Sequence, residues 1–313
     1  SLVLGSTLDK IGHRLRLTEA LLGLITALGA DAPEISSAIT AVVAGKHDAG
    51  VGVLLGASIL NIAALLGLSA VVAGKVRVGK QGLVLDGTVS LLIVGITLAL
   101  IRGFISPVVS VVLCLVVLGP YVVVSGLGPA RVTRLPLPRA MHRFFDQAAV
   151  NLQHDSRKDM TPPRATTADV LTIVPVLLTI IVGSEWMVRA ALRLSSRWGM
   201  SEAILGTLVL APLTVIPNVV TAVRLALHGR GAAVVSEALN SNTFNLLIGL
   251  CLTAAILGLP RGSEQTLFCA LWLLCLTALA LLLTARRGGL LRAEGIVLIL
   301  IYGVFVAWMV WAQ

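Results

Sequence analysis

The chain has 313 residues, 57% of them hydrophobic and 12% charged, with a mean hydropathy of +0.97 and a formal net charge of +9. That balance belongs to a polypeptide that lies largely in lipid, and it excludes a water-soluble domain.

Apolar runs of about 20 residues, enough to cross ~30 Å of hydrocarbon, recur along the whole chain. They are expected near 17–43, 50–73, 83–104, 106–127, 169–188, 202–227, 232–258, 265–285 and 290–312. Residues 1–16 are too short and polar to span alone and are expected to be the end of a truncated first helix. No basic stretch followed by an apolar core marks a cleavable signal peptide. The fold class is therefore an all-α polytopic membrane protein.

Of the 24 Lys and Arg residues, 18 fall in 1–16, 74–82, 128–168, 224–231 and 286–292, and the other six are Lys46, Arg102, Arg189, Arg193, Arg197 and Arg261. Such a split predicts an inner-membrane protein with the richer side in the cytoplasm, and it explains the net charge without a nucleic-acid partner. Residues 128–168, with Pro-rich "LPLPRA" and "MTPPRAT", read as a cytoplasmic linker between two membrane halves, 1–127 and 169–313. Cys114, Cys251, Cys269 and Cys275 lack metal or redox spacing and read as small core residues. Trp308 and Trp311 read as an interfacial belt.

The chain also repeats itself. "LTEALLG" (17–23) returns as "MSEAILG" (200–206), "PEISSAI" (33–39) as "PNVVTAV" (217–223), and "GASILNIAALLGL" (56–68) as "NSNTFNLLIGLCL" (240–252). Glu34 precedes Asn61 by 27 residues and Asn218 precedes Asn245 by 27, so two helical hairpins match without a gap. The copies begin five expected crossings apart. An odd offset inverts the second relative to the first, as in many secondary transporters. Each pair is centred on a polar turn, "GKHDAG" or "HGRGAA", and about 13 residues at ~1.5 Å rise puts all four side chains roughly 20 Å from a turn, near the bilayer midplane.

Pro33 and Pro217 stand one residue before Glu34 and Asn218. A proline within a span frees a carbonyl in the preceding turn, which lipid cannot satisfy. Asp31 and Glu34 share a helix face and are the only acids that the expected spans place deep in the membrane, where acids mark function. Carboxylates, amides and free carbonyls together form a hard-oxygen ligand set for Na⁺, Ca²⁺ or similar cations. Glu237, eight residues before Asn245 and two turns away on the same helix, either compensates for the missing acid of the second repeat or has a rim or structural role nearer the membrane surface. Glu19 and Glu202 read as helix N-terminal charges beside the caps Thr18 and Ser201.

These stretches resemble the cation/Ca²⁺ antiporter superfamily, the sodium/calcium exchangers and their prokaryotic relatives. "ALGADAPEI" resembles the family's first motif, G-[ST]-S-x-P-E, while "GASILN" and "NSNTFN" resemble G-S-N-x-x-[ND] in the two repeats. The resemblance implies about ten spans, the first truncated here, in two inverted five-helix repeats with broken helices at the midplane. It implies a metal site at Asp31, Glu34, Asn61, Thr214, Asn218, Ser241 and Asn245. It also implies inorganic cations, Ca²⁺ and Na⁺ with H⁺ as an alternative, as cargo, and no organic cofactor. The chain departs from the pattern at Asn218, Asn245, Ala30, Ala57 and Val215, and Asp31 adds an acid where Ser is usual. Both carboxylates thus stand in one repeat.

Two readings remain open at this level. One is a secondary antiporter exchanging Ca²⁺ or another cation for Na⁺ or H⁺ by alternating access. The other is a degenerate relative acting as a membrane scaffold or regulatory subunit. A channel is disfavoured because no charged ring marks a pore, and an enzyme because no nucleophile with a positioned base lies in the spans.

Overall fold

The computed structural model describes Leu4, Thr7 and residues 27–127, 167–258 and 262–311. The truncated first helix, Glu19 and nearly all of the 128–168 linker fall outside the described residues. A helical stretch at 27–30 turns at Asp31 before α1 (Ala32–Val43) begins. Pro33 lies in the first turn of α1 and has no N–H to offer the Gly29 carbonyl, so the first span is interrupted beside its acids. Of the two expected breaks only this one is present: Pro217 of the second repeat lies inside a continuous α-helix, Ala211–Leu227, because a proline can be carried within a helix at the loss of one hydrogen bond.

Then follow α2 (His47–Ala73), α3 (Lys80–Ile101), α4 (Pro107–Leu127), α5 (Thr167–Trp198), α6 (Glu202–Leu227), α7 (Gly231–Leu257), α8 (Glu264–Arg287) and α9 (Arg292–Trp311). Seven of these are long and apolar enough to cross a bilayer, and α1 and the apolar part of α4 are shorter. Helix α5, with 32 residues, outruns the expected 169–188. At ~1.5 Å per residue it is about 48 Å long, and Glu185 pairs with Arg189 one turn on where the helix leaves its apolar stretch. Arg189, Arg193 and Arg197 are therefore helical rather than loop residues.

The internal repeat is visible in the element lengths. In α2, 14 α-helical residues are followed by eight in a wider π-helix from Asn61 and five more α-helical ones; α7 repeats 14, eight and five, its π-helix starting at Asn245. Every boundary is offset by 184 residues (231 − 47, 245 − 61, 253 − 69), the offset that also relates Asn218 to Glu34. Both hairpin turns are closed by a left-handed glycine, Gly45 (φ 76°) and Gly229 (φ 74°), again 184 apart.

Contacts at the two turns give the relative direction of the hairpins. Lys46, at the start of α2, pairs with Glu202 of α6 (2.8 Å), and Asp48 accepts from Thr266 Oγ1 of α8 (2.9 Å). The other turn lies beyond the opposite end of α2, where Gly231 is packed against the Arg77 backbone and a Cβ would come within 2.3 Å of its carbonyl oxygen. Residues Lys75–Arg77 (β1) pair antiparallel there with Gly289–Leu291 (β2), Val76 opposite Leu290. The two turns are thus at opposite ends of the bundle.

Helices α2 and α7 are central, with 83% and 78% of their most apolar stretches buried against protein, whereas α5 has 11%. The approach of α2 to α6 is glycine-mediated: a Cβ on Gly206 would come within 2.2 Å of the Ala49 carbonyl, and one on Gly56 within 2.7 Å of the Thr207 backbone. Thr207 Oγ1 also donates to the Gly52 carbonyl at 3.2 Å.

Two minor expectations are revised. Cys275 is exposed toward the bundle's outside, unlike the three buried cysteines. Trp308 stacks on Phe268 with ring centroids 3.5 Å apart, so it packs the α8/α9 contact, whereas Trp311 is exposed.

Candidate functional site

The break at Asp31 points its carboxylate at the second repeat. Asp31 Oδ1 accepts from Asn218 Nδ2 of α6 at 3.1 Å and from Ser241 Oγ of α7 at 2.6 Å. Ser241 Oγ in turn accepts from Asn61 Nδ2 of α2 at 2.8 Å, and the same amide donates to Asn242 Oδ1 at 3.1 Å. Asn242 Nδ2 closes the chain on the Ser58 carbonyl at 3.1 Å. One polar network therefore joins the segment before α1 with α2, α6 and α7, uniting residues 187 and 210 positions apart.

What the network leaves open matters more. Asp31, Glu34, Asn61 and Asn245 are fully buried, and Asp31 Oδ2, both Glu34 oxygens, Asn61 Oδ1 and both polar atoms of Asn245 have no hydrogen-bond partner. Buried polar atoms are normally satisfied, and a carboxylate without a partner in a low-dielectric interior is costly. Five orphaned oxygens of the hard type are what a Na⁺- or Ca²⁺-sized ion needs from its surroundings. Among the described residues no three His, Cys, Asp or Glu side chains cluster, so the donors are mainly amide and hydroxyl groups around two acids.

The expected site residues divide as follows. Asp31, Asn61, Asn218 and Ser241 are joined by direct hydrogen bonds. Glu34 lies one turn beyond Asp31 on a helix that packs against the π-helical part of α7, where Asn245 stands. Thr214 is buried, but its hydroxyl donates to the Ala211 carbonyl at 2.9 Å and to the Leu210 carbonyl, inside its own helix. Ala57 and Val215 are wholly buried and apolar.

Sequence reading missed Asn242, Ser58 and Ser37. The first two are exact repeat mates (242 − 58 = 184), a signal that was available; Ser37, one turn past Glu34, is buried with an unpartnered hydroxyl. It also missed Asp86, which is 4% exposed within α3 and hydrogen-bonded to Ser236. The cause is its place six residues from the start of α3, where sequence alone suggests an exposed helix end. Glu237 is half-buried with one carboxylate oxygen enclosed and unpartnered. The N-terminal role of Glu202 fits: Ser201 Oγ accepts from Ile204 N at 3.3 Å.

Comparison with known proteins agrees with this architecture. The putative antiporter CaxA of Alkalimonas amylolytica is 23% identical over 306 residues, covering 94% of this chain and 89% of its own. Among solved structures, the H⁺/Ca²⁺ exchanger CAX superposes with a TM-score of 0.70 at 15% identity, over 98% of this chain and 82% of its own. The sodium-calcium exchanger NCX_Mj superposes with a TM-score of 0.63 at 20% identity, over 97% and 91%. These two likenesses concern the fold. The sequence pattern described as sodium/calcium exchanger protein matches residues 1–127 and 169–311, nearly all of the chain outside its central linker, and the chain therefore belongs to the sodium/calcium exchanger protein family.

Proposed function

We propose that the protein is a secondary antiporter that exchanges Ca²⁺, or another hard cation, for Na⁺ or H⁺ at a midplane site made of Asp31, Glu34, Asn61, Asn218, Ser241 and Asn245. The observation that carries this reading is the set of orphaned oxygens on Asp31, Glu34, Asn61 and Asn245, all fully buried. An incoming cation supplies the missing partner for each of them. Thr214, whose hydroxyl is bonded within its own helix, joins the proposed set only by its place in the motif.

Charge balance fixes what can compete. Two carboxylates neutralise one divalent ion, two monovalent ions or two protons, so the ions exclude one another and the site returns across the membrane neutral in each case. Alternating access then requires that each cargo bind whichever face is open with similar stability, so that exchange follows the imposed gradient. The opposed hairpins supply two related elements that can rock about the site.

The 18-to-6 distribution of basic residues supports an inner-membrane location with residues 128–168, the linker between halves 1–127 and 169–313, in the cytoplasm. A non-transporting scaffold draws no support from the relatives, and its interior has no use for unpartnered acids.

The test is ⁴⁵Ca²⁺ uptake into liposomes under a Na⁺ gradient and then a pH gradient, with Glu34→Gln as control. Gradient-driven uptake that disappears in the control is the expected result. Full uptake by Glu34→Gln, with matching protein incorporation, overturns the assignment.

A further inference from the structure

Asp86 of α3 is the third enclosed acid of the bundle, and it is not part of the network around Asp31. Its Oδ2 accepts from Ser236 Oγ at 2.7 Å; Asn240 Nδ2 donates to the same hydroxyl at 3.2 Å; Tyr121 Oη donates to Asn240 Oδ1 at 3.2 Å and lies beside the Asp86 carboxylate. Asp86 Oδ1 is buried without a hydrogen-bond partner, as is Ser90 Oγ one turn along the same helix.

The repeat shows that this cluster is not a packing requirement. At the same offset of 184, Ser236 and Asn240 correspond to Gly52 and Gly56, and Asp86 corresponds to Ala270. In the first repeat those glycines let α2 pack closely on α6, and Ala270 is buried. The fold thus accepts small, apolar residues in these places, yet where α3 meets α7 it holds an acid from the first half against a hydroxyl and an amide from the second. Glu237, the counterpart of buried Val53, extends the difference. Burying an acid in a membrane span costs free energy unless something occupies it.

Depth places the cluster on one side of the principal site. Helices α3 and α7 both start at the end where Gly231 meets Arg77, beside the basic loops 74–82 and 224–231. Asp86 is six residues into α3 and Ser236 five into α7, about 9 and 7.5 Å from the helix starts, while Ser241 is five residues, or about 7.5 Å, deeper. Along α7 the i, i+4 steps Ser236–Asn240 and Glu237–Ser241 form two adjacent polar rows leading to the network of Asp31.

We propose that Asp86, Ser236, Asn240 and Tyr121 form a second hard-cation site, through which cargo travels between the basic-loop side and the principal site. The role as a way station rests on the antiporter reading; the existence of the site does not. Its donors are carboxylate, hydroxyl and amide oxygens, with Ser90 within one turn as a further ligand. With a single carboxylate against the two at Asp31 and Glu34, it holds a divalent ion less firmly, which suits a position that cargo must leave.

The experiment uses the full chain and Tb³⁺, a hard cation whose emission is excited through a nearby tyrosine. In a Asp31→Asn/Glu34→Gln background, saturable Tyr-sensitised emission is expected; adding Asp86→Asn abolishes it, and adding Tyr121→Phe lowers it severalfold. In the otherwise unmodified chain, Asp86→Asn lowers Tb³⁺ bound at saturation from two to one, which keeps the test decisive if the multiple variants fail to fold. In vesicles of defined orientation, Asp86→Asn raises the apparent KM for Ca²⁺ at least fivefold from the basic-loop side and leaves the other side unchanged. Tb³⁺ binding indifferent to Asp86, or a KM change equal on both faces, overturns the proposal. Asp86-dependent Tb³⁺ binding in a chain that transports no cation overturns the antiporter reading and leaves the site standing.

Discussion

Asn218 Nδ2 donates to Asp31 Oδ1 at 3.1 Å, so the amide that replaces an acid in the second repeat is bonded directly to the extra acid of the first. The two departures from the family's motif are thus one arrangement in space. The carboxylate that position 218 lacks is brought within hydrogen-bond distance of it by position 31 of the other repeat.

Substituting Asn218→Asp puts a third carboxylate against Asp31 and removes the donor between them. Like charges that close disfavour ionisation of both and favour a divalent ion over a monovalent one. Calcium affinity relative to Na⁺ is expected to rise by about tenfold, ~1.4 kcal/mol, while the cation-free protein loses thermal stability. Competition titrations of ⁴⁵Ca²⁺ binding by Na⁺ measure the first effect; unchanged selectivity would mean that residue 218 does not face the cargo.

Ser241 is the pivot of the network, donating to Asp31 and accepting from Asn61. Ser241→Ala deletes a hydrogen bond to a charged group, a loss of about 1.5–3 kcal/mol, and leaves Asn61 with one acceptor fewer. Reduced Ca²⁺ affinity and a lower Tm in cation-free detergent are expected together. A variant with normal affinity and normal Tm would show that this contact contributes nothing.

Cargo binding should stabilise the fold by mass action. At one hundred times Kd, a ligand that binds only the folded state adds about 2.7 kcal/mol. Calcium is expected to raise Tm progressively in the wild-type chain, and in Glu34→Gln by less and only at higher concentration, where the weaker Asp86 cluster alone binds it. Equal shifts in both would place the binding elsewhere.

The close crossing of α2 and α6 makes a paired prediction. Gly206→Ala drives a methyl group against the Ala49 backbone, with ~2 kcal/mol or more of overpacking expected; exchange and Tm should both fall. Gly95→Ala, where nothing lies within 4 Å, is the control and should be neutral or slightly stabilising. Thermal melts of the two variants side by side decide it.

Opposed hairpins can be tested by labelling. Ala44 and His228 are exposed, each next to its turn glycine, and 184 positions apart. In a background with Cys275→Ser, Ala44→Cys and His228→Cys should react with an impermeant maleimide from opposite faces of the membrane. Labelling of both from one face would contradict the inversion.

The sequence alone determined the solvent and the repeat, and set a common depth as the expectation for the site, because these follow from one-dimensional regularities. Apolar runs of bilayer length need no tertiary information. The 27-residue spacing within each hairpin, with proline beside Glu34 and Asn218, put four side chains at one level because antiparallel helices share a rise per residue. What it could not give was lateral direction. Periodicity says which residues share a helix face but not which neighbour that face meets, so the bond of Asp31 to Asn218 and the link from Asn61 through Ser241 emerged only when the segment before α1 was packed together with α2, α6 and α7. Helix ends were equally opaque: α5 continues through Glu185 and Arg189, paired one turn apart, which hydropathy reads as an exit from the membrane. Asp86 looked like a solvated helix start for the same reason. Only the approach of α7, bringing Ser236 and Asn240 against it, showed that this acid is enclosed, because burial is a property of neighbours and not of position in the chain.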